Sequence, residues 1–275
     1  MKPSETVSGA VPDSPLHQVQ RSWSPYANAS TRARARMRSV WANLGFNHDL
    51  ASKIRYELDM VLLRTRCSLS PAYRSQVREL AERRHLLVHL GCGNALLPGW
   101  INLDCYPPPP ARDVEILTLD LRRGLPLAAA SAAALFSEHF LEHLPFDTVR
   151  SVVLPDIRRV MEPGGRVRIG VPDGEYFIDQ YAAYREGRRN ELFERERGGK
   201  TPMVMINEIA HGYGHHFVYD FETLSQLLRE SGFVNVRRCE PFDTSMEHFE
   251  GKDRVDEWRN TMTLYVEAEV PAISD

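Results

Sequence analysis

The sequence is poor in lysine, in paired cysteines and in long apolar runs, and each lack removes a class of function. Lys2, Lys53, Lys200 and Lys252 are the lysines among 34 basic residues; the others are arginine. This excess reads first as GC-rich coding bias, which points to a bacterial, actinobacterial-type source. Arginine chosen for anion binding is the second reading. Net positive charge is missing as well: Asp+Glu at 37 outnumber Lys+Arg at 34, giving −3. A protein that lives on phosphate backbones is usually basic, so nucleic acid is not an expected partner. No apolar run nears the ~18 residues of a membrane span. The opening MKPSETVSGAVPDSP lacks a basic stretch followed by an apolar one, so it is not read as a secretory signal. The four cysteines, Cys67, Cys92, Cys105 and Cys239, lie far apart with no C-x-x-C. Reduced thiols and a cytoplasmic location are the expectation.

What is present is an ordinary globular composition, 43% hydrophobic and 26% charged over 275 residues. That suits one large domain with a small appendage. Residues 1–28, rich in Pro, Ser and Gly, are expected to form a disordered tail. Residues 29–84 read as an N-terminal helical extension. It starts with TRARARMRS (31–39), either a solvated helix start or a clamp for an anionic substrate. In 49–66, Leu50, Ile54, Leu58, Val61 and Leu62 fall at helical spacing. Ser70 then caps a second helix that opens with Pro71. From 85 to 275, short apolar runs alternate with helical stretches, the pattern of a mostly parallel sheet. Strands are expected at 86–90, 100–105, 114–120, 132–139, 164–173, 234–240 and 262–270. Helices are expected at 146–161, interrupted at Pro155, and at 221–233. Residues 174–219 form an insertion for substrate binding or a lid. Tyr176, Phe177, Tyr181 and Tyr184 recur there at helical spacing, suited to core packing, a homodimer face or a carbohydrate platform. The glycine-containing stretch 198–214 reads as mobile.

The strongest motif is LLVHLGCGNALLPGWINLDCY (86–106). A buried strand runs into Gly91-Cys92-Gly93-Asn94, and the next strand ends in Asp104. Glycines at such a turn let the backbone approach a ligand. An acid closing the next strand is placed to take both ribose hydroxyls of a nucleoside. Asp120 closes the third strand, where an adenine edge would lie. A dinucleotide dehydrogenase would need a third glycine in the turn, where Leu96 stands.

The order G-C-G, N-L-D, L-D-L, S-E-H-F-L-E-H-L and M-E-P-G-G-R-V-R-I-G-V-P-D resembles the class I S-adenosylmethionine (SAM) dependent methyltransferases, in particular the type 11 group. The resemblance covers about 85–240 and the strand to 270. It implies an α/β, Rossmann-like seven-stranded sheet with an antiparallel last strand, and SAM as cofactor at the first two strands. Carried over by position, Gly91 and Gly93 would line the methionine part, with Asn94 in the same turn. Asp104 would hold the ribose, Asp120 and Leu121 would flank the adenine, and Glu138 is a further cofactor candidate. Two departures stand out. His89 occupies a position where many members carry an acid. The link between the first two strands is also shorter than the dozen or more residues of an ordinary parallel crossover. It has room for one helical turn at most, so the N-terminal helices are expected to cover the site.

The second site is SEHFLEHL (137–144), at the end of the fourth strand, where a transferred methyl would point. His139 and His143 share a face if the segment is helical. Histidine suits a general base acting on an attacking hydroxyl. His143 is the favoured base, His139 the second, and His216, in HGYGHHFVYD, a reserve from a loop. Glu142 and Asp173 are carboxylates able to orient a base. A zinc site is not expected from these histidines, because no cysteine is nearby and their spacing fits no compact finger; a metal that did bind would be hard, such as Mg²⁺, through Asp173, Glu138 or Glu142. The expected activity is O-methylation of a small polar acceptor, a sugar or oligosaccharide, as in mycobacterial-type polysaccharide precursors. The alternatives are a methyltransferase for another small metabolite and a SAM-fold scaffold without catalysis.

Overall fold

The computed structural model describes residues 48–108, 112–188, 192 and 200–272. The tail 1–28 and the arginine run 31–39 lie outside the described residues. Seven strands form one sheet: β1 (Leu86–Leu90), β2 (Ile101–Asp104), β3 (Glu115–Thr118), β4 (Ala132–Glu138), β5 (Met161–Pro172), β6 (Val234–Cys239) and β7 (Thr263–Glu269). Their spatial order is β3-β2-β1-β4-β5-β7-β6. The first five are parallel, and β7 runs antiparallel to both β5 and β6. This is the Rossmann-like sheet with a reversed last strand that the resemblance implied.

Helices α1 (His48–Leu69) and α2 (Pro71–Glu82) form the N-terminal part, with Ser70 accepting the Tyr73 N–H and Pro71 at the first turn. A helix, α3, runs over 146–160. Pro155 does not break it. The turn before the proline, Val149–Val153, widens to a π-helix, and Leu154–Val160 continues as α-helix. The glycine-containing stretch expected to be mobile holds a further helix. After α4 (Gly174–Arg185), α5 (Pro202–His211) is capped by Thr201. Phe177, with Tyr176 and Tyr181, packs there against Met205, Ile209 and Met262, so the aromatic row builds a second small core. The last long helix, α6, is Phe221–Glu230, and a short one, α7, is Glu257–Thr261.

The two faces of the sheet differ in chemistry. On one, Leu86, Val88, Leu90, Leu135, Val167, Ile169 and Val266 pack with Val149, Ile157, Leu224 and Leu228 from α3 and α6. The link between β1 and β2 holds no helix at all, only turns. The other face is therefore covered from far along the chain: Met246 and Phe249 close over Trp100, Ala134 and Phe136. Beside them Arg168 is fully buried. It donates to Asp253 at 2.8 and 2.6 Å and to Glu267 at 2.7 Å, and its guanidinium lies over the Tyr265 ring.

Candidate functional site

The order in which the strands are added reverses between the parallel β1 and β4, and open α/β sheets bind ligands at the carboxyl ends of the strands flanking such a point. On the β1 side, Gly91 (φ 69°) and Gly93 (φ 50°) both take the left-handed conformation. A side chain at Gly91 would also strike Phe140, whose atoms lie 2.5 Å from the ideal Cβ position. The Gly91 and Cys92 N–H groups both donate to the Leu103 carbonyl, which ties the turn to β2. Asp104 then accepts from Gly93 N–H at 2.9 Å and from Tyr106 N–H at 2.7 Å. Each carboxylate oxygen keeps a further lone pair for a ligand hydroxyl. Asn94 is exposed beside this turn.

Helix α1 closes over this end, as the short crossover led one to expect. Asp120 is buried and accepts from Arg122 Nε at 2.9 Å and from Arg64 Nη1 of α1 at 2.8 Å. Arg122 also donates to Glu57 at 2.6 Å and lies over the Tyr56 ring, both on α1. Burial pushes the Asp120 carboxyl up, but the Arg122 and Arg64 bonds outweigh it, and the net shift is downward. Leu121 packs into the main core and does not line the site. His89, which stands where the family often has an acid, is buried and accounted for: its Nδ1 lies 3.1 Å from Asn102 Oδ1. Desolvation pulls its pKa down to about 4, so it is neutral near pH 7.

On the β4 side the chain turns sharply at His139, a non-glycine residue at φ 53°. The 3-10 turn Leu141–His143 follows. The turn is zipped to the 211–219 segment, because His216 N–H donates to the Glu142 carbonyl at 2.7 Å. His139 Nε2 lies 2.9 Å from Thr263 Oγ1, and that hydroxyl donates to the Arg259 carbonyl. Thr263 therefore accepts from the His139 Nε2–H. His139 Nδ1, 3.1 Å from Glu142 Oε1, is left as an acceptor, and the carboxyl is the donor. The electrostatics agree: burial raises the Glu142 pKa to about 8 and holds that of His139 well below its usual value. The other carboxyl oxygen, Glu142 Oε2, is buried with no hydrogen-bond partner.

His143 stands edge-on to His215, with ring centroids 4.8 Å apart, and bonds to the Gly214 backbone. Burial, then the neighbouring His215, lowers its pKa well below the usual range. His215 Nδ1 lies 2.7 Å from the Ile209 carbonyl. His216 is exposed, and its pKa is lowered by desolvation and then by the charges of Lys53 and Arg122, which sit on and beside α1.

Two expected site residues have structural duties instead. Glu138 is buried, 2.5 Å from the Tyr265 hydroxyl and 2.9 Å from Arg254 Nε, so it is not turned to the cofactor turn. Asp173 caps α4, accepting from the Glu175 and Tyr176 N–H groups, and pairs with Arg238. Burial raises its pKa against the pull of Arg238. The carboxylates expected to hold Mg²⁺ are thus engaged separately. Among the described residues, the group of His, Cys, Asp or Glu side chains close enough to share an ion is Glu142, His143 and His215. The sequence reading missed His215, Thr263 and Arg64. His215 stood inside a motif that was read, but Thr263 is 124 residues from the histidine it meets and carries no local signal.

No protein-family model matches the sequence, and no curated protein matches it. Solved structures of similar shape include a SAM-dependent methyltransferase from Archaeoglobus fulgidus, at 16% identity and TM-score 0.40, covering 78% of this chain and 99% of that one. The SAM-dependent methyltransferase SibL is similar at 17% identity and TM-score 0.43, covering 76% and 62%. Phosphoethanolamine N-methyltransferase 2 of Haemonchus contortus is similar at 13% identity and TM-score 0.39, covering 74% and 54%. The overlap is partial in each case; the strand order and the reversed β7 define the fold.

Proposed function

We propose that the protein transfers a methyl group from SAM to a hydroxyl of a small polar acceptor. The observation that carries this reading is the Gly93–Asp104 hydrogen bond at the point where the strand order reverses. It sets a glycine turn and a strand-end acid side by side, the pair that a nucleoside ribose and its adjoining chain require. In the reaction an acceptor oxygen attacks the methyl carbon. The new C–O bond forms as the C–S bond breaks, and the sulfur keeps the electron pair and leaves as S-adenosylhomocysteine. The acceptor proton goes to the histidines after β4. His143 is the candidate base, with His216 in reserve. His139 has both ring nitrogens engaged and is a positioning residue for Glu142.

A sugar is the proposed acceptor. Its support is a cavity of about 800 Å³ lined by Asp173, Arg238, Asp256, Asn260, Thr263 and Phe242, among others, which meets the histidine group through the Thr263–His139 bond and is lined by neither His143 nor the glycine turn. Polar groups around an aromatic ring suit a polyhydroxylated ligand. The buried, bonded state of His139 favours one other reading, a SAM-fold protein that binds without catalysis. Calorimetry with SAM and S-adenosylhomocysteine, followed by methyl transfer from labelled SAM to a panel of mono- and oligosaccharides, separates the two. No SAM binding sinks both readings; binding without transfer to any acceptor leaves the second.

A further inference from the structure

We propose that Glu142, His143 and His215 form a binding site for one divalent transition metal ion of the zinc type. One donor atom from each lies within 4.8 Å of the other two. With metal–nitrogen distances of about 2.0–2.1 Å, tetrahedral ligands stand roughly 3.4 Å apart, so the set closes by about an ångström. Two imidazoles and one carboxylate select a borderline metal over Mg²⁺, which asks for oxygen donors in an octahedron.

Three further details point to a ligand here. Glu142 Oε2 is buried without a hydrogen-bond partner, while Oε1 is pinned by His139. A buried carboxyl oxygen left unmet is costly, and native structures rarely tolerate one. His215 directs Nδ1 to the Ile209 carbonyl at 2.7 Å. That bond makes Nδ1 the protonated nitrogen and gives Nε2 the lone pair, the orientation that outer partners impose on metal-binding histidines. Finally, the backbone bond from His216 to the Glu142 carbonyl locks the segments carrying the donors together. Arg259 bears on the same groups and opposes a cation, so an ion has to displace the proton that Glu142 shares with His139 before the carboxylate can offset that charge.

The segment His139-Phe140-Leu141-Glu142-His143 has the H-x-x-E-H spacing of a known helical zinc motif. The geometry here assigns the ligands differently. The segment is a 3-10 turn and not an α-helix, and His139 spends its nitrogens on Thr263 and Glu142. His215 takes the place that His139 would have held. Three protein ligands leave a fourth position open, as in catalytic zinc sites. That position would receive an acceptor oxygen, and with the metal bound His143 is a ligand and the base role passes to His216; this use rests on the methyl-transfer reading, and the metal site itself does not.

The test is titration of the metal-stripped full chain with Co²⁺ and Zn²⁺, without SAM. One equivalent of Co²⁺ should bind with the visible absorption of a tetrahedral site, and Zn²⁺ should displace it and raise Tm. Glu142→Gln and His215→Ala should each lose the absorption and the Tm rise, while His211→Ala, outside the cluster, should keep both. Absence of stoichiometric binding overturns the proposal, as does equal binding by Glu142→Gln and His215→Ala when circular dichroism shows them folded. If either variant fails to fold, the wild-type contrast decides: Mg²⁺ binding as tightly as Zn²⁺ refutes the site. SAM calorimetry on the same metal-free sample reports separately on the methyl-transfer reading, so the two fail independently.

Discussion

The two halves of the crevice solve opposite electrostatic problems. At the ends of β1–β3, arginines or backbone N–H groups meet the carboxylates: Asp120 has Arg64 and Arg122, which outweigh its burial, and Asp104 has two N–H donors. At the end of β4, burial acts in the other direction. Glu142 is held toward its neutral form, and His139 and His143 are kept uncharged. The first half is a set of fixed charges suited to holding a polar ligand. The second is a desolvated group of neutral donors and acceptors, where a proton or a cation changes the most. Under the proposed function, ligand holding and proton handling are segregated along the carboxyl ends of the strands.

Mutations that separate these halves test the contrast. The largest effect is expected from His143→Ala, which should lower turnover by ~10²-fold or more through loss of general-base help. kcat and kcat/KM should fall together while SAM affinity, measured by calorimetry, stays unchanged. A matching loss of SAM affinity would show that the halves are not separate. Asp104→Ala should do the reverse. Losing a charged acceptor costs ~1.5–3 kcal/mol, or roughly a tenfold to hundredfold rise in the SAM Kd. Unchanged affinity in a folded variant would remove the nucleoside assignment.

Arg122→Ala leaves the buried Asp120 with Arg64 as its charged partner. A loss of ~1–3 kcal/mol is expected in denaturant unfolding, since an under-satisfied buried group is exposed to its desolvation cost. A further effect appears only in acid. His89 has a folded pKa of about 4, below its unfolded 6.5. As pH falls through 6.5 the unfolded chain gains a proton that the native state refuses, so stability present above 6.5 is lost toward pH 4. The slope for one such group is at most about 1.4 kcal/mol per pH unit. A His89→Gln chain should show a shallower acid decline in Tm than the wild type; equal slopes would mean that His89 does not carry it.

The same contrast explains what could be read from the sequence. The juxtaposition of the glycine turn and Asp104 was legible because its parts are local: Gly91, Gly93 and Asp104 lie within fourteen residues, each at a strand end set by a short apolar run. The seven strands were legible for the same reason, and their ends moved by a few residues at most. The catalytic half was legible only in its first piece. SEHFLEHL announces histidines and a glutamate, but not that His139 is spent on Thr263 or that His215 joins Glu142 and His143. Those pairings depend on tertiary closure. The partners that Asp173 and Glu138 take were not legible for a related reason. A carboxylate at a strand end looks the same in sequence whether it faces a ligand, caps a helix or neutralises an arginine.

The helix-free link between β1 and β2 has a consequence for how the chain is made. In an ordinary crossover, the strand pair carries its own cover as it leaves the ribosome. Here Trp100 and Phe136 wait for Met246 and Phe249, more than a hundred residues later. Arg168 likewise waits for Asp253 and Glu267. Such long closures slow folding and leave apolar surface open to association during synthesis. Chains halted before residue 246 should therefore bind a hydrophobic dye and recruit chaperones, and chains released past 267 should not. Equal dye binding by both would mean that the early strands find another cover. The segment 246–267 is, in this sense, the lid of the nascent fold, and the moment it arrives sets when the rest becomes a protein.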